Sequence, residues 1–152
     1  DYIALVERAV SRVEAATGLA PLIVAHSMGG LVARAWLGSR AAHRRSDGTG
    51  EAARLITIGT PHRGTWLARL AVAANARQMR ADSAWLKALA DAEPPTLVNL
   101  VTSWWSECDQ IVYPPPTGVF PGSEAKQLRG VGDIALTARE EIWKEIRRRI
   151  DY

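Results

Sequence analysis

Pro21–Leu37, PLIVAHSMGGLVARAWL, is the stretch on which the fold turns. Leu22 to Ala25 is a short, continuously apolar run, the pattern of a parallel strand covered on both faces. It stops at His26 and Ser27, passes Gly29 and Gly30, and continues at helical spacing from Met28 through Leu31, Val32, Ala35, Trp36 and Ser39. A strand that turns this sharply into a helix leaves its turn residue at the carboxyl edge of a sheet, where open α/β sheets place their ligands. The helix behind the turn contributes backbone N–H groups and a positive dipole end. The Ser27 hydroxyl is therefore either a helix cap or a nucleophile beside donors suited to a developing oxyanion, the N–H of Met28 among them. A tight turn also needs small neighbours. Ala25 stands two before the serine and Gly29 two after, and Gly29 is expected where the helix passes close to the strand.

Outward from this stretch, strands and helices alternate. Ile3, Leu5, Val6, Ala9, Val10 and Val13 recur at helical spacing, with Gly18 as a stop. Arg40 to Gly50 is polar and Gly-rich and reads as a loop. Leu55 to Ile58 is a second strand, closed by Gly59-Thr60-Pro61. Trp66 to Ala76 and Ser83 to Ala90 look helical. Pro94-Pro95 precedes a third strand at Leu97 to Thr102. Tyr113 to Gly122, YPPPTGVFPG, reads as an ordered loop or extended segment. Ala125 to Arg129 is a candidate fourth strand, and Ile142, Ile146 and Ile150 mark a last amphipathic helix. The alternation predicts an α/β fold with a mainly parallel sheet of about four strands flanked by helices.

Composition narrows the function classes. The 152 residues are one domain's worth, 47% of them are hydrophobic, and the 23% charged residues argue against disorder. The net charge of +3 is modest and its cations are scattered or sit at a helix end, so no nucleic-acid partner is expected. No apolar run approaches a membrane span. Cys108 is the single cysteine, which excludes an internal disulfide. No metal-ligand spacing and no cofactor motif is present, and no signal peptide opens the chain, a reading that leans to a cytoplasmic location.

Four motifs in order carry a resemblance. AHSMGG resembles the lipase box of the α/β-hydrolases, with Ala25 in place of the usual first glycine. LITIGTPHRGT (Leu55 to Thr65) is similar to the strand and loop that follow in bacterial lipases and esterases. CDQIVYPPPTG resembles their acid loop, and LRGVGDIAL their final strand and histidine loop. The resemblance implies a nucleophile elbow at Ser27, Met28 as an oxyanion donor, Asp109 as the acid with Glu107 as a weaker alternative, and a carboxylic ester, small or lipid, as substrate. It also implies one domain over residues 1–152 that corresponds to the C-terminal part of the family fold, with the oxyanion-loop strands lying before Asp1. The nucleophile strand, central in the family, is then an edge, and an apolar edge invites self-association.

One departure bears on the chemistry. The family's histidine loop reads G-x-G-H, whereas this chain reads Gly130-Val131-Gly132-Asp133. A carboxylate stands in the expected histidine position, and it is expected to face Asp109. Three histidines lie elsewhere. His26 is expected to point away from the reactive side of Ser27 and to support the elbow. His62 is expected near the site edge in a structural role, and His43 in the polar loop. Trp66, Trp85, Trp104 and Trp105 are candidates for an acyl pocket, with core packing the more ordinary role, and Arg147–Arg149 suit a helix end. The expected function is a serine hydrolase of esters, inactive if nothing replaces the base. The alternatives are a non-catalytic remnant of the fold and an acyltransferase on the same elbow.

Overall fold

The computed structural model describes residues 2–43, 53–70 and 74–150. Helix α1 (Tyr2–Thr17) leads into strand β1 (Leu22–His26), helix α2 (Met28–His43) and strand β2 (Arg54–Ile58). Short helix α3 (Ala74–Gln78) and helix α4 (Ala84–Ala92) precede strands β3 (Val101–Trp105) and β4 (Glu124–Gln127). Helices α5 (Asp133–Leu136) and α6 (Glu140–Ile150) close the order.

Local chemistry sets the ends of these elements. Gly18 stops α1 with a φ of 70°, and its N–H donates to the Glu14 carbonyl. The Ser83 hydroxyl accepts from the Leu86 N–H and caps α4. Glu140 and Glu141 open α6 and Arg147, Arg148 and Arg149 close it, matching the helix dipole at both ends.

The four strands are all parallel and lie in the order β1-β2-β3-β4. Two cores follow from the two-residue period of the strands. Leu55 and Val101 point to one face and pack with Val10 of α1 and with Ala33, Trp36 and Leu37 of α2. Ile56, Ile58 and Trp104 point to the other, where Leu128, Val131, Leu136, Ile142 and Ile146 cover them. The sheet's two ends differ in character. At β4, Glu124 and Lys126 join Glu145 and Arg149 of α6 in an ion network. At β1, Leu22 to Ala25 is apolar and Val24 is 38% exposed.

Several boundaries depart from the sequence expectation. Helix α2 continues to His43, because Arg40 is tied back to Glu14 on α1 at 2.6 Å. The rest of the expected loop, 44–50, lies outside the described residues, as does the side chain of His43. Trp66 to Ala76 is no single helix: Trp66–Leu70 is a 3₁₀ turn and α3 begins at Ala74. The third strand starts four residues later than Leu97, since Pro95 opens a 3₁₀ turn that runs to Leu100. The fourth strand is Glu124–Gln127 rather than Ala125 to Arg129. Within the proline-rich segment, Pro115–Gly118 forms a further 3₁₀ turn, as proline tolerates a first helical turn.

Candidate active site

Ser27 is the single residue between β1 and α2. Its φ is 52°, in the left-handed region that residues with a Cβ rarely occupy. Three backbone-directed bonds hold it there. Its N–H donates to the Ile58 carbonyl at 3.0 Å, and its carbonyl accepts from the Gly30 N–H and the Thr60 hydroxyl, each at 3.0 Å. The hydroxyl itself bonds to no described residue. Met28 opens α2 at the helix's positive end.

The close approach of α2 to β2 falls at Gly30. A Cβ on Gly30 would meet the Thr60 hydroxyl oxygen at 2.0 Å, whereas one on Gly29 would meet nothing within 4 Å. This corrects the expectation that Gly29 makes the close contact. Gly29 faces outward, and Gly30, one residue further round the helix, faces the sheet.

Strand register places the carboxylates. His26 is paired with Ile58, so Ser27 stands beside Gly59 at the carboxyl edge. Gly59 has a φ of 52°, and a Cβ there would come within 2.9 Å of Asp133 Oδ1 and 3.4 Å of Asp109 Oδ2. Both carboxylates thus converge over Gly59, whose left-handed φ favours glycine. Asp109 follows β3, and its Oδ1 accepts the N–H groups of Ile111 and Val112 at 2.9 and 2.8 Å. That fixes the side chain and turns Oδ2 toward Gly59. Burial raises the Asp109 pKa, the Val112 and Ile111 amides oppose this, the Asp133 charge adds to it, and His26 works against it. Asp133 is the first residue of α5, and its Oδ1 is buried without a hydrogen bond.

His26 lies 3.5 Å from Asp133 Oδ1 through Nε2. The imidazole, expected to support the elbow, reaches across to the α5 carboxylate. Strand alternation is the reason. His26 shares a face with Leu22, which packs in the core beneath Val131 and Leu136, the residues that flank Asp133.

His62 is elsewhere. It is 2% exposed, its Nε2 is 2.9 Å from the Thr57 hydroxyl, and Thr57 points to the α1/α2 face. Burial, and then the Arg34 charge, push its pKa well below the usual histidine value, so it is neutral. The Thr57 hydroxyl donates to the Thr102 carbonyl, so it accepts from Nε2–H and leaves Nδ1 as the bare, unpartnered nitrogen. A titrating role at the site edge is excluded by this placement. Arg34, which the sequence did not single out, holds the same loop: it donates to the His62 carbonyl at 2.8 Å and to both Glu93 oxygens at 2.6 and 2.8 Å.

The secondary candidates sort by place. Glu107 is exposed and accepts from the Gly130 N–H and the Gln127 amide, tethering the Gly130–Asp133 turn. Cys108 is exposed. Trp104 lies in the core and Trp66 is 52% exposed. Among the described residues, no group of three or more His, Cys, Asp or Glu side chains is arranged to hold a metal ion. No helix among them is long and apolar enough to cross a membrane.

No protein-family model and no curated protein matches the chain. Solved structures do. The crystal structure of Bacillus licheniformis lipase BlEst2 in its mature form superposes with a TM-score of 0.69, over 90% of this chain and 67% of that one, at 14% identity. The chain has an α/β-hydrolase-like fold. Its four-stranded parallel sheet with flanking helices is consistent with a partial version of that fold. Within an α/β-hydrolase frame, the turn after β1, the loop after β3 and the turn before α5 are the three places that this chain brings together at one sheet edge.

Proposed function

We propose that the chain is an esterase-type serine hydrolase centred on Ser27, and that Asp133 makes it slow in its present form. The observation that supports this best is the φ of 52° at Ser27. Such backbone strain costs on the order of 1–3 kcal/mol and concentrates at functional turns. Here it falls at the strand-to-helix turn, on a residue whose hydroxyl bonds to no described residue and that stands next to Gly59, over which the two carboxylates converge.

In this reading, the Ser27 oxygen attacks the ester carbonyl carbon. The oxyanion forms at the head of α2, with the Met28 N–H as a donor. The alcohol departs with the serine proton, and water then cleaves the acyl-serine bond. Asp109 is the orienting acid. The weak link is the proton acceptor, because a carboxylate is a poor base at neutral pH. His26 is the imidazole in contact with this carboxylate pair and is the alternative acceptor; His62 is buried on the other face. A second reading, a non-catalytic module on the same fold, is favoured by the orphaned Asp133 Oδ1 opposite Asp109, a pairing unsuited to activating serine.

Turnover of a p-nitrophenyl ester tests both readings. The unmodified chain should hydrolyse it near the background rate. Asp133→His should raise the rate by roughly 10², and Ser27→Ala in that background should abolish the gain. Ser27-dependent turnover in the unmodified chain would move the base to His26, to be checked with His26→Ala. No gain in Asp133→His would leave the non-catalytic reading.

A further inference from the structure

His62 is a buried titratable side chain that takes no part in the chemistry at Ser27. Its Nε2–H donates to the Thr57 hydroxyl at 2.9 Å, and the Phe120 ring lies 5.5 Å away, centroid to centroid. Its Nδ1 is buried without a hydrogen bond. Among the described residues, the charged groups beside this seat are Arg34 and, paired with it, Glu93. From α2, the Arg34 guanidinium donates to the carbonyl of His62 itself at 2.8 Å and lies 4.3 Å over the Phe120 ring. Glu93, just past α4, gives both carboxylate oxygens to Arg34. β2 and the segment before β4 present Thr57 and Phe120, which carry no charge. On its own loop, Arg63 is turned to the Pro116 carbonyl. The titratable groups His26, Asp109 and Asp133 gather at Gly59 instead.

A short run of bonds ties this seat to the Ser27 turn. The His62 N–H donates to the Thr60 carbonyl at 2.8 Å, and the Thr60 hydroxyl donates to the Ser27 carbonyl at 3.0 Å. A neutral imidazole suits the seat, because its single N–H is spent on Thr57. A second proton does not suit it. Nδ1–H would be a buried donor without an acceptor, on a cation beside the Arg34 guanidinium. His62 can take up that proton only by leaving the seat, and Thr60 stands two residues back along the same loop.

We propose that neutral His62 is a positioning residue for Ser27, acting through Thr60, and that acid frees the loop of residues 59–65 from the Ser27 turn. Burial, and then the Arg34 charge, hold the imidazole's pKa well below the usual histidine value. The stability tied to the neutral ring is therefore full above the usual value and is lost as pH falls below it. Release takes up one proton, so the open fraction rises about tenfold per pH unit below about pH 6.5. The consequence for rate rests on Ser27 being the nucleophile. The release of the turn does not, and its readout is structure rather than turnover.

Nuclear magnetic resonance on the isotope-labelled full chain, from mildly alkaline to mildly acidic pH, tests it. The Arg63 and Gly64 amides bond to the Thr117 and Pro61 carbonyls and report the loop. Their hydrogen-exchange protection should fall about tenfold per pH unit below about pH 6.5. The Ser27 carbonyl carbon resonance should shift with them, while the core amides of Ile56 and Ile146 stay protected. His62→Gln keeps an N–H for Thr57 and cannot be charged, so the acid response should vanish. Thr60→Val should leave the loop response and uncouple Ser27 from it. The His62 ring signal of the parent chain needs no variant: it should titrate only where the loop opens. A response that survives in His62→Gln would belong to His26 or the carboxylates and would overturn the proposal. So would loss of loop and core protection together, Ser27 still following in Thr60→Val, or a His62 ring that titrates at its usual value in a closed loop. A chain without esterase activity leaves each of these readings intact.

Discussion

Gly29 and Gly30 are adjacent, chemically identical and opposite in what an added methyl group should do. At Gly30 a Cβ would lie 2.0 Å from the Thr60 Oγ1, 2.7 Å from its Cγ2 and 2.8 Å from its Cβ. Thr60 has no exposed surface, and its hydroxyl holds the Ser27 carbonyl. Overpacking of this kind costs about 1–3 kcal/mol. Displacing Thr60 also breaks a buried hydrogen bond, worth about 1 kcal/mol. Replacing a helical glycine by alanine returns about 1 kcal/mol. Gly30→Ala should therefore destabilise by about 1–3 kcal/mol, while Gly29→Ala, with nothing in its way, should stabilise by about 0.5–1 kcal/mol. Urea unfolding at a constant m-value reads both. Thr60→Ala removes the two atoms that the oxygen and methyl contribute, so the cost of Gly30→Ala should shrink by about 1 kcal/mol or more in that background. Equal stabilities for the two glycine variants, or an additive cycle with Thr60→Ala, would refute the packing argument.

Two other outcomes follow from the charges and the edges. Asp109 has a raised pKa in the folded state, so the stability tied to its protonated form is full below the usual carboxylate range and is lost as pH rises through the raised value. Asp109→Asn keeps the acceptor for Ile111 and Val112 and removes the charge; its stability relative to the parent should grow between about pH 4 and neutrality, and an unfolding difference that stays flat with pH would contradict this. At the other edge, β1 presents an apolar strand with Val24 exposed. Sedimentation should show self-association that Val24→Lys suppresses, and a stable parent monomer would argue against an open edge.

The α/β order was legible because Leu22–Ala25 and Leu55–Ile58 are short apolar runs bounded by turns, and because Ile142 and Ile146 are one helical turn apart. The third strand was harder. Leu97 to Leu100 is as apolar as a strand, and the preceding prolines mark a break without saying that a 3₁₀ turn comes first. Trp104 and Trp105, which belong to that strand, instead drew attention as pocket candidates. Ser27, Asp109 and Asp133 were all visible as motif positions, and the structure does bring the two carboxylates together over Gly59. What the motifs hid was orientation. His26 could have been placed by strand alternation, since it shares parity with Leu22, but its partner Asp133 lies far along the chain. The role of Gly30 is set by Thr60, thirty residues away on another element, and no local pattern announces that contact.

None of the three bonds that hold the turn at position 27 uses the serine side chain: one engages its N–H and two its carbonyl. The bend is therefore a fixture into which different heads can be fitted. Ser27→Cys would mount a thiol on the same backbone, and Ser27→Gly would relieve the strained φ while leaving all three bonds in place. For an engineer, a turn fixed by its backbone alone already stands in this chain, so the side chain at position 27 can be exchanged without touching the bonds that hold it.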